Sequence, residues 1–171
     1  MNLRSFLSKL EKEDKLVRIK KEVSAKYEIA NIMYSLDEKP VIFEKVKGYD
    51  FPVFGGITSN RDIISEALGT TKDKLLLKLV EALRNPKPPR MVEKAPCQEV
   101  IIKNPDIDKL PLLLHLPGDG GRYATATVST IKDPETGRNV AYHRLMQRSK
   151  NTFTARLIKG RQTRTTYDKL K

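Results

Sequence analysis

The chain has 171 residues, 39% of them hydrophobic and 32% charged, which is the composition of a folded domain and excludes the disordered and fibrous classes. No run of about 18 apolar residues exists to form a transmembrane helix, and residues 2–15 lack the apolar centre of a secretory leader. The formal net charge is +12. The single cysteine, Cys97, excludes an internal disulfide and any zinc site built from several cysteines, which fits a reducing cytoplasm.

Leu3, Phe6, Leu7 and Leu10 recur at helical spacing and predict an amphipathic first helix. Residues 16–19 then read as a short strand. Ile29, Ala30, Ile32, Met33 and Leu36 predict a second helix, which must end before Pro40. Residues 41–46 and 51–57 are two β-rich runs around the turn residues 47–50, so adjacent strands are expected. Two helices follow, at about 60–68 with Gly69 as its C-terminal stop, and at about 71–84 with a stripe of Leu75, Leu76, Leu79, Val80 and Leu83. Pro86, Pro88 and Pro89 break the pattern and mark a linker between subdomains.

Beyond the linker, residues 99–102 read as a strand and 105–117 as mostly loop. Residues 125–131 and 139–147 read as strands joined by the turn Asp133-Pro134-Glu135-Thr136-Gly137, and residues 151–158 as the third strand of the meander. Residues 163–171 have the look of an opening helix. A meander of three or four strands leaves open edges that a barrel would close, so the sequence reads as cut inside its second domain.

The charge is local. Residues 138–171 hold ten Lys or Arg and one acid, so this stretch carries nine of the twelve excess positive charges. Such an excess serves a nucleic acid, a phosphorylated small molecule or an acidic partner. Nucleic acid is disfavoured, because no RNA-binding signature is present and aromatic residues there are sparse. The two histidines, His115 and His143, form no zinc-spaced pattern, and His115 is assigned a structural role. The glycine-rich run from Gly118 to Arg122 can cradle a phosphate but is read first as a plain loop. Cys97 has no histidine near it in sequence and is expected to be a packed thiol. His143 and Arg144 are strand neighbours, so one should face into a barrel and the other out.

Several blocks resemble the UbiD family of decarboxylases. They are Leu3-Arg4-Ser5-Phe6-Leu7, Leu16-Val17-Arg18-Ile19, Phe43-Glu44-Lys45-Val46-Lys47-Gly48-Tyr49, Ala95-Pro96-Cys97-Gln98-Glu99-Val100, Pro117-Gly118-Asp119-Gly120-Gly121-Arg122-Tyr123 and Lys132-Asp133-Pro134-Glu135-Thr136-Gly137-Arg138-Asn139. They are colinear and cover essentially the whole chain. The resemblance implies an α+β fold: an N-terminal α/β domain at 1–84, a Pro-rich linker at 85–94, and at 95–171 the first part of a split β-barrel that binds flavin. It implies non-oxidative decarboxylation of an α,β-unsaturated or aromatic carboxylic acid through an adduct with prenylated FMN. It further implies a divalent cation such as Mn2+, and a monovalent cation such as K+ near the flavin phosphate.

The family pattern N-x-x-x-x-R falls on Asn139 to Arg144. The resemblance therefore assigns Asn139 as a metal ligand and Arg144 as the catalytic arginine, its charge fixed for holding a carboxylate. It places Val140, Ala141, Tyr142, His143 and Arg144 along the flavin, with Arg161 and Gln162 beside its phosphate. The second metal ligand of the family is a histidine; here Gln162 stands at that point, with an amide oxygen that suits a hard cation. The family's catalytic glutamates are expected beyond Lys171, so the chain alone is expected to be inactive. They would come from the remaining C-terminal part of the enzyme or from a partner chain, and the complete enzyme would be a homo-oligomer without membrane attachment. The substrates of two branches suit the pattern, anhydromevalonate phosphate in isoprenoid synthesis and 4-hydroxybenzoate-type acids in quinone synthesis. The basic region leans toward the phosphorylated one. The alternative is a non-catalytic flavin-binding or partner subunit of a split enzyme.

Overall fold

The computed structural model describes residues 2–37 and 39–171. The fold is α+β and divides into two compact units, Met1–Val23 with Asn31–Asn104, and Ser24–Ala30 with Pro105–Lys171. The expected linker 85–94 holds neither helix nor strand, and the units change at Asn104–Pro105.

The first unit begins with α1 (Leu3–Lys12), started by a reciprocal cap. Asn2 Oδ1 accepts from the Ser5 amide at 2.9 Å, and the Asn2 amide donates to Ser5 Oγ at 3.1 Å, which satisfies donors that a helix start leaves open. Its apolar face buries Phe6 and Leu10 against Ile63, with Leu16 and Ile57 alongside. Three short strands form one sheet in the order β1 (Val17–Ile19), β2 (Val41–Phe43), β3 (Val53–Gly55). β1 and β2 are parallel, so the chain between them crosses over through α2 (Glu28–Ser35). β2 and β3 are antiparallel. The central strand is the most buried, with Val41 and Phe43 at 0% exposure. Then come α3 (Arg61–Ala67), stopped by Gly69 at φ +63°, and α4 (Leu75–Arg84). Glu66 on α3 takes Lys9 and Lys15 at 2.8 Å each, which pins α3 to the α1 segment.

The expected strand at 99–102 does not form. Val100, Ile101 and Ile102 are 70–78% exposed, because β-branched residues make a strand only beside a partner, and none pairs with them among the described residues. Cys97 is exposed rather than packed.

The second unit is a meander of β4 (Tyr123–Asp133), β5 (Gly137–Gln147) and β6 (Phe153–Ala155), followed by α5 (Gln162–Leu170). The third strand is far shorter than expected. Residues 24–30 join this unit through backbone bonds, Leu114 to Ala25 at 3.1 Å and Tyr27 to Leu114 at 2.8 Å. No described helix is long and apolar enough to cross a membrane.

Phe43 is the largest fully buried side chain. Phe43→Ala is expected to destabilise the first unit by about 3–5 kcal/mol through lost transfer and cavity formation. Urea unfolding measures it, and a loss below about 1 kcal/mol would contradict this account of the core.

Candidate functional site

The hairpin of β4 and β5 is shaped at both ends. At its turn, the Asp133 carboxylate accepts from the Glu135 and Thr136 amides at 2.9 Å each, and Gly137 takes φ +83°, a backbone state open to glycine. The same carboxylate accepts from Thr166 Oγ1 at 2.7 Å and Lys169 Nζ at 3.2 Å, both on α5. The turn thus fixes where α5 lies. These bonds, that from the Thr136 amide foremost, hold the Asp133 carboxyl well below the usual carboxylate range.

At the other end the ladder carries a bulge. Ala124 pairs with Leu145 and Thr127 with His143, so Thr125 and Ala126 together face Arg144. A bulge bends and twists its strand and re-aims side chains. The Arg144 guanidinium lies over the Tyr123 ring, 5.6 Å from its centroid.

Between β5, β6 and the start of α5 lies a groove of about 780 Å³. β5 lines it from Asn139 to Arg144, and Arg156, Arg161, Gln162, Thr163 and Arg164 complete the wall. No carboxylate lines it among the described residues. Arg164 is paired with Asp168 at 2.8 Å, whereas Arg144, Arg156 and Arg161 meet no acid among the described residues. Three guanidinium groups without acidic partners in one concavity have the chemistry to take an anion. Asn139 and His143 share the half-buried face of β5, and both reach Thr163 Oγ1 at 3.2 Å. Val140 and Tyr142 lie on the opposite, exposed face.

Two family models match: the 3-octaprenyl-4-hydroxybenzoate carboxy-lyase N-terminal domain over residues 7–83, and the Rift-related domain of the same carboxy-lyase over residues 90–171. The chain belongs to the UbiD family. It is 34% identical to the anhydromevalonate phosphate decarboxylase of Methanosarcina mazei, over 95% of this chain and 37% of that protein. It matches the structure of the UbiD-class enzyme HmfF from Pelotomaculum thermopropionicum in complex with FMN, with a TM-score of 0.91 and 38% identity. That match covers 98% of this chain and 39% of HmfF. It also matches the closed form of the vanillic acid decarboxylase of Sedimentibacter hydroxybenzoicus, with a TM-score of 0.89 and 27% identity over 98% of this chain and 39% of that one. This UbiD chain therefore spans somewhat over a third of the length of these relatives.

Every residue that the sequence singled out for the UbiD site, from Asn139 through Arg144 together with Arg161 and Gln162, borders the one groove. Of the strand neighbours, His143 is half-buried against Thr163, while Arg144 is exposed over Tyr123. The glycine-rich run from Gly118 to Arg122 is a self-closed loop. Asp119 Oδ2 accepts from the His115 and Leu116 amides at 3.2 and 2.9 Å, and none of its glycines takes a positive φ. Sequence reasoning missed Tyr123, Arg156 and Thr163. Arg156 was visible as part of the local basic excess; Thr163 had no signal beyond its place at a helix start.

Asp133 titrates at a lower pH in the folded chain than in the unfolded one. Its stabilising contribution is therefore complete above about pH 5 and is lost as the pH falls below about 4. Asp133→Asn is expected to lower stability at pH 7, with the gap to the unaltered chain closing under acid. Denaturant unfolding across pH 3–7 checks it; a gap that stayed constant with pH would contradict it.

Proposed function

We propose that this chain forms the flavin-holding part of a decarboxylase that removes CO2 from an α,β-unsaturated or aromatic carboxylic acid. The observation that carries the reading is the groove of three uncompensated arginines, without a carboxylate, in the Rift-related half of a UbiD chain. Its volume lies within the ordinary range of cofactor sites, and its cations suit a ligand that carries a phosphate and faces a carboxylate.

Arg156 and Arg161 would hold the phosphate of prenylated FMN, and Gln162 would border it. The chain from Val140 to His143 would run beside the ring system. Arg144 would clamp the substrate carboxylate. Its charge does not titrate, and its planar fork binds two oxygens at once, which fixes the bond to the departing carbon in one orientation. The Tyr123 ring beneath restricts where that fork can lie. The bound cofactor would supply the electron sink for CO2 loss.

The donors present do not make a Mn2+ or K+ site on their own. Asn139 and Gln162 offer neutral amide oxygens amid arginines, and no group of three His, Cys, Asp or Glu residues that could hold a metal occurs among the described residues. A cation here needs further anionic ligands from outside this set. Among the described residues the groove also has no carboxylic acid to return a proton to the carbon that loses CO2. A second polypeptide segment bearing carboxylates would supply both needs.

Titration with FMN, followed by quenching of flavin fluorescence, is expected to show binding that weakens with salt. Arg156→Ala and Arg161→Ala should each lower affinity about tenfold, the equivalent of about 1.4 kcal/mol for a lost charge-assisted bond. Failure of the unaltered chain to bind flavin would overturn the proposal. Loaded with prenylated FMN and offered either 4-hydroxybenzoate or anhydromevalonate phosphate, the chain alone should release no CO2. Release would show that the acid is already present in it.

A further inference from the structure

We propose that Thr163 is a positioning residue, whose hydroxyl fixes both the tautomer of His143 and the orientation of the Asn139 amide. The flavin reading bears only on what these two groups then face; the hydrogen-bond arrangement stands apart from it.

Thr163 sits in the first turn of α5, half-buried, where Oγ1 is 3.2 Å from both Asn139 Nδ2 and His143 Nε2. Asn139 and His143 are four residues apart on one face of β5, about 13 Å at the backbone, and their side chains converge on the one hydroxyl between them. A hydroxyl has one hydrogen to donate and two lone pairs. The Asn139 Nδ2 group can only donate, so Oγ1 accepts there. The hydroxyl hydrogen remains, and among the described residues His143 Nε2 is the acceptor within reach. Donation to Nε2 requires a bare lone pair on that atom, so a ring bound in this way carries its proton on Nδ1.

Two groups are thereby set. The nitrogen end of the Asn139 amide is spent on Thr163, while Oδ1 meets no donor among the described residues and is the end available to a ligand. His143 keeps an N–H at Nδ1. The clamp is rigid because α5 is itself held by the Thr166–Asp133 bond at 2.7 Å. Two other arrangements put the ring proton on Nε2: Oγ1 accepting from both Asn139 Nδ2 and His143 Nε2, as its two lone pairs permit, or the amide turned over with its oxygen accepting from the hydroxyl. Both predict the other tautomer.

The test is nitrogen-15 NMR of the histidine ring at a pH where it is neutral. It uses the 171-residue chain carrying His115→Gln, so that His143 is the single histidine. The expected result is an Nδ1–H ring in this chain. Adding Thr163→Val should shift it toward Nε2–H, and Thr163→Ser should restore Nδ1–H. An Nε2–H ring in the parent chain, or a tautomer unchanged by Thr163→Val, would overturn the proposal. FMN affinity is read on the same samples. Thr163→Val is expected to weaken it about threefold to tenfold, with Thr163→Ser near the parent. A parent chain that binds no FMN would sink the flavin reading, while the tautomer result would still decide this one.

Discussion

The Asp133 carboxylate, 3% exposed, accepts from two amides of its own turn, from Thr166 and from Lys169. A buried charge is costly unless its lone pairs are used, and here each oxygen is taken. The arrangement ties three things together: the end of β4, the hairpin connection and the position of α5. Thr163 stands one turn before Thr166 on the same helix. Its distance to Asn139 and His143 is therefore set from the far end of the hairpin. The groove depends on this, because one of its walls is the start of α5.

The second determinant is electrostatic. Most of the excess positive charge of the chain falls within residues 138–171, and the fold gathers part of it on one concave surface. The acids of the region are used elsewhere. Asp168 is paired with Arg164, and Asp133 and Glu135 are taken up with Lys169. What remains are three guanidinium groups, Arg144, Arg156 and Arg161, that border one groove and meet no acid among the described residues. Their positive field favours an anionic ligand over a cationic one.

Much of the fold was legible in the sequence where the signal was local. Asp133 to Gly137 announced a turn because its carboxylate and its glycine act within five residues. Gly69 announced a helix stop for the same reason. The reading failed where a partner decides the outcome. Residues 99–102 have strand composition but, among the described residues, no strand beside them, and the third strand of the meander pairs over only three residues where eight were expected. The site divides the same way. Asn139, Arg144, Arg161 and Gln162 were reached through a family resemblance in contiguous blocks. Thr163 was not, because its contacts lie 24 and 20 residues away and carry no short-range pattern.

The bulge opposite Arg144 bears on how this region can change. Along β5 exposure alternates without a break, so Asn139, Ala141 and His143 share one face and Arg144 lies with Val140 and Tyr142 on the other. The bulge belongs to β4, which contributes two residues against Arg144 alone. Side chains in this hairpin can be exchanged one at a time. Its length cannot, because one residue gained or lost between Asn139 and Arg144 would send every β5 side chain beyond that point to the other face. A replacement here alters one contact, whereas a change of length alters which residues share a face.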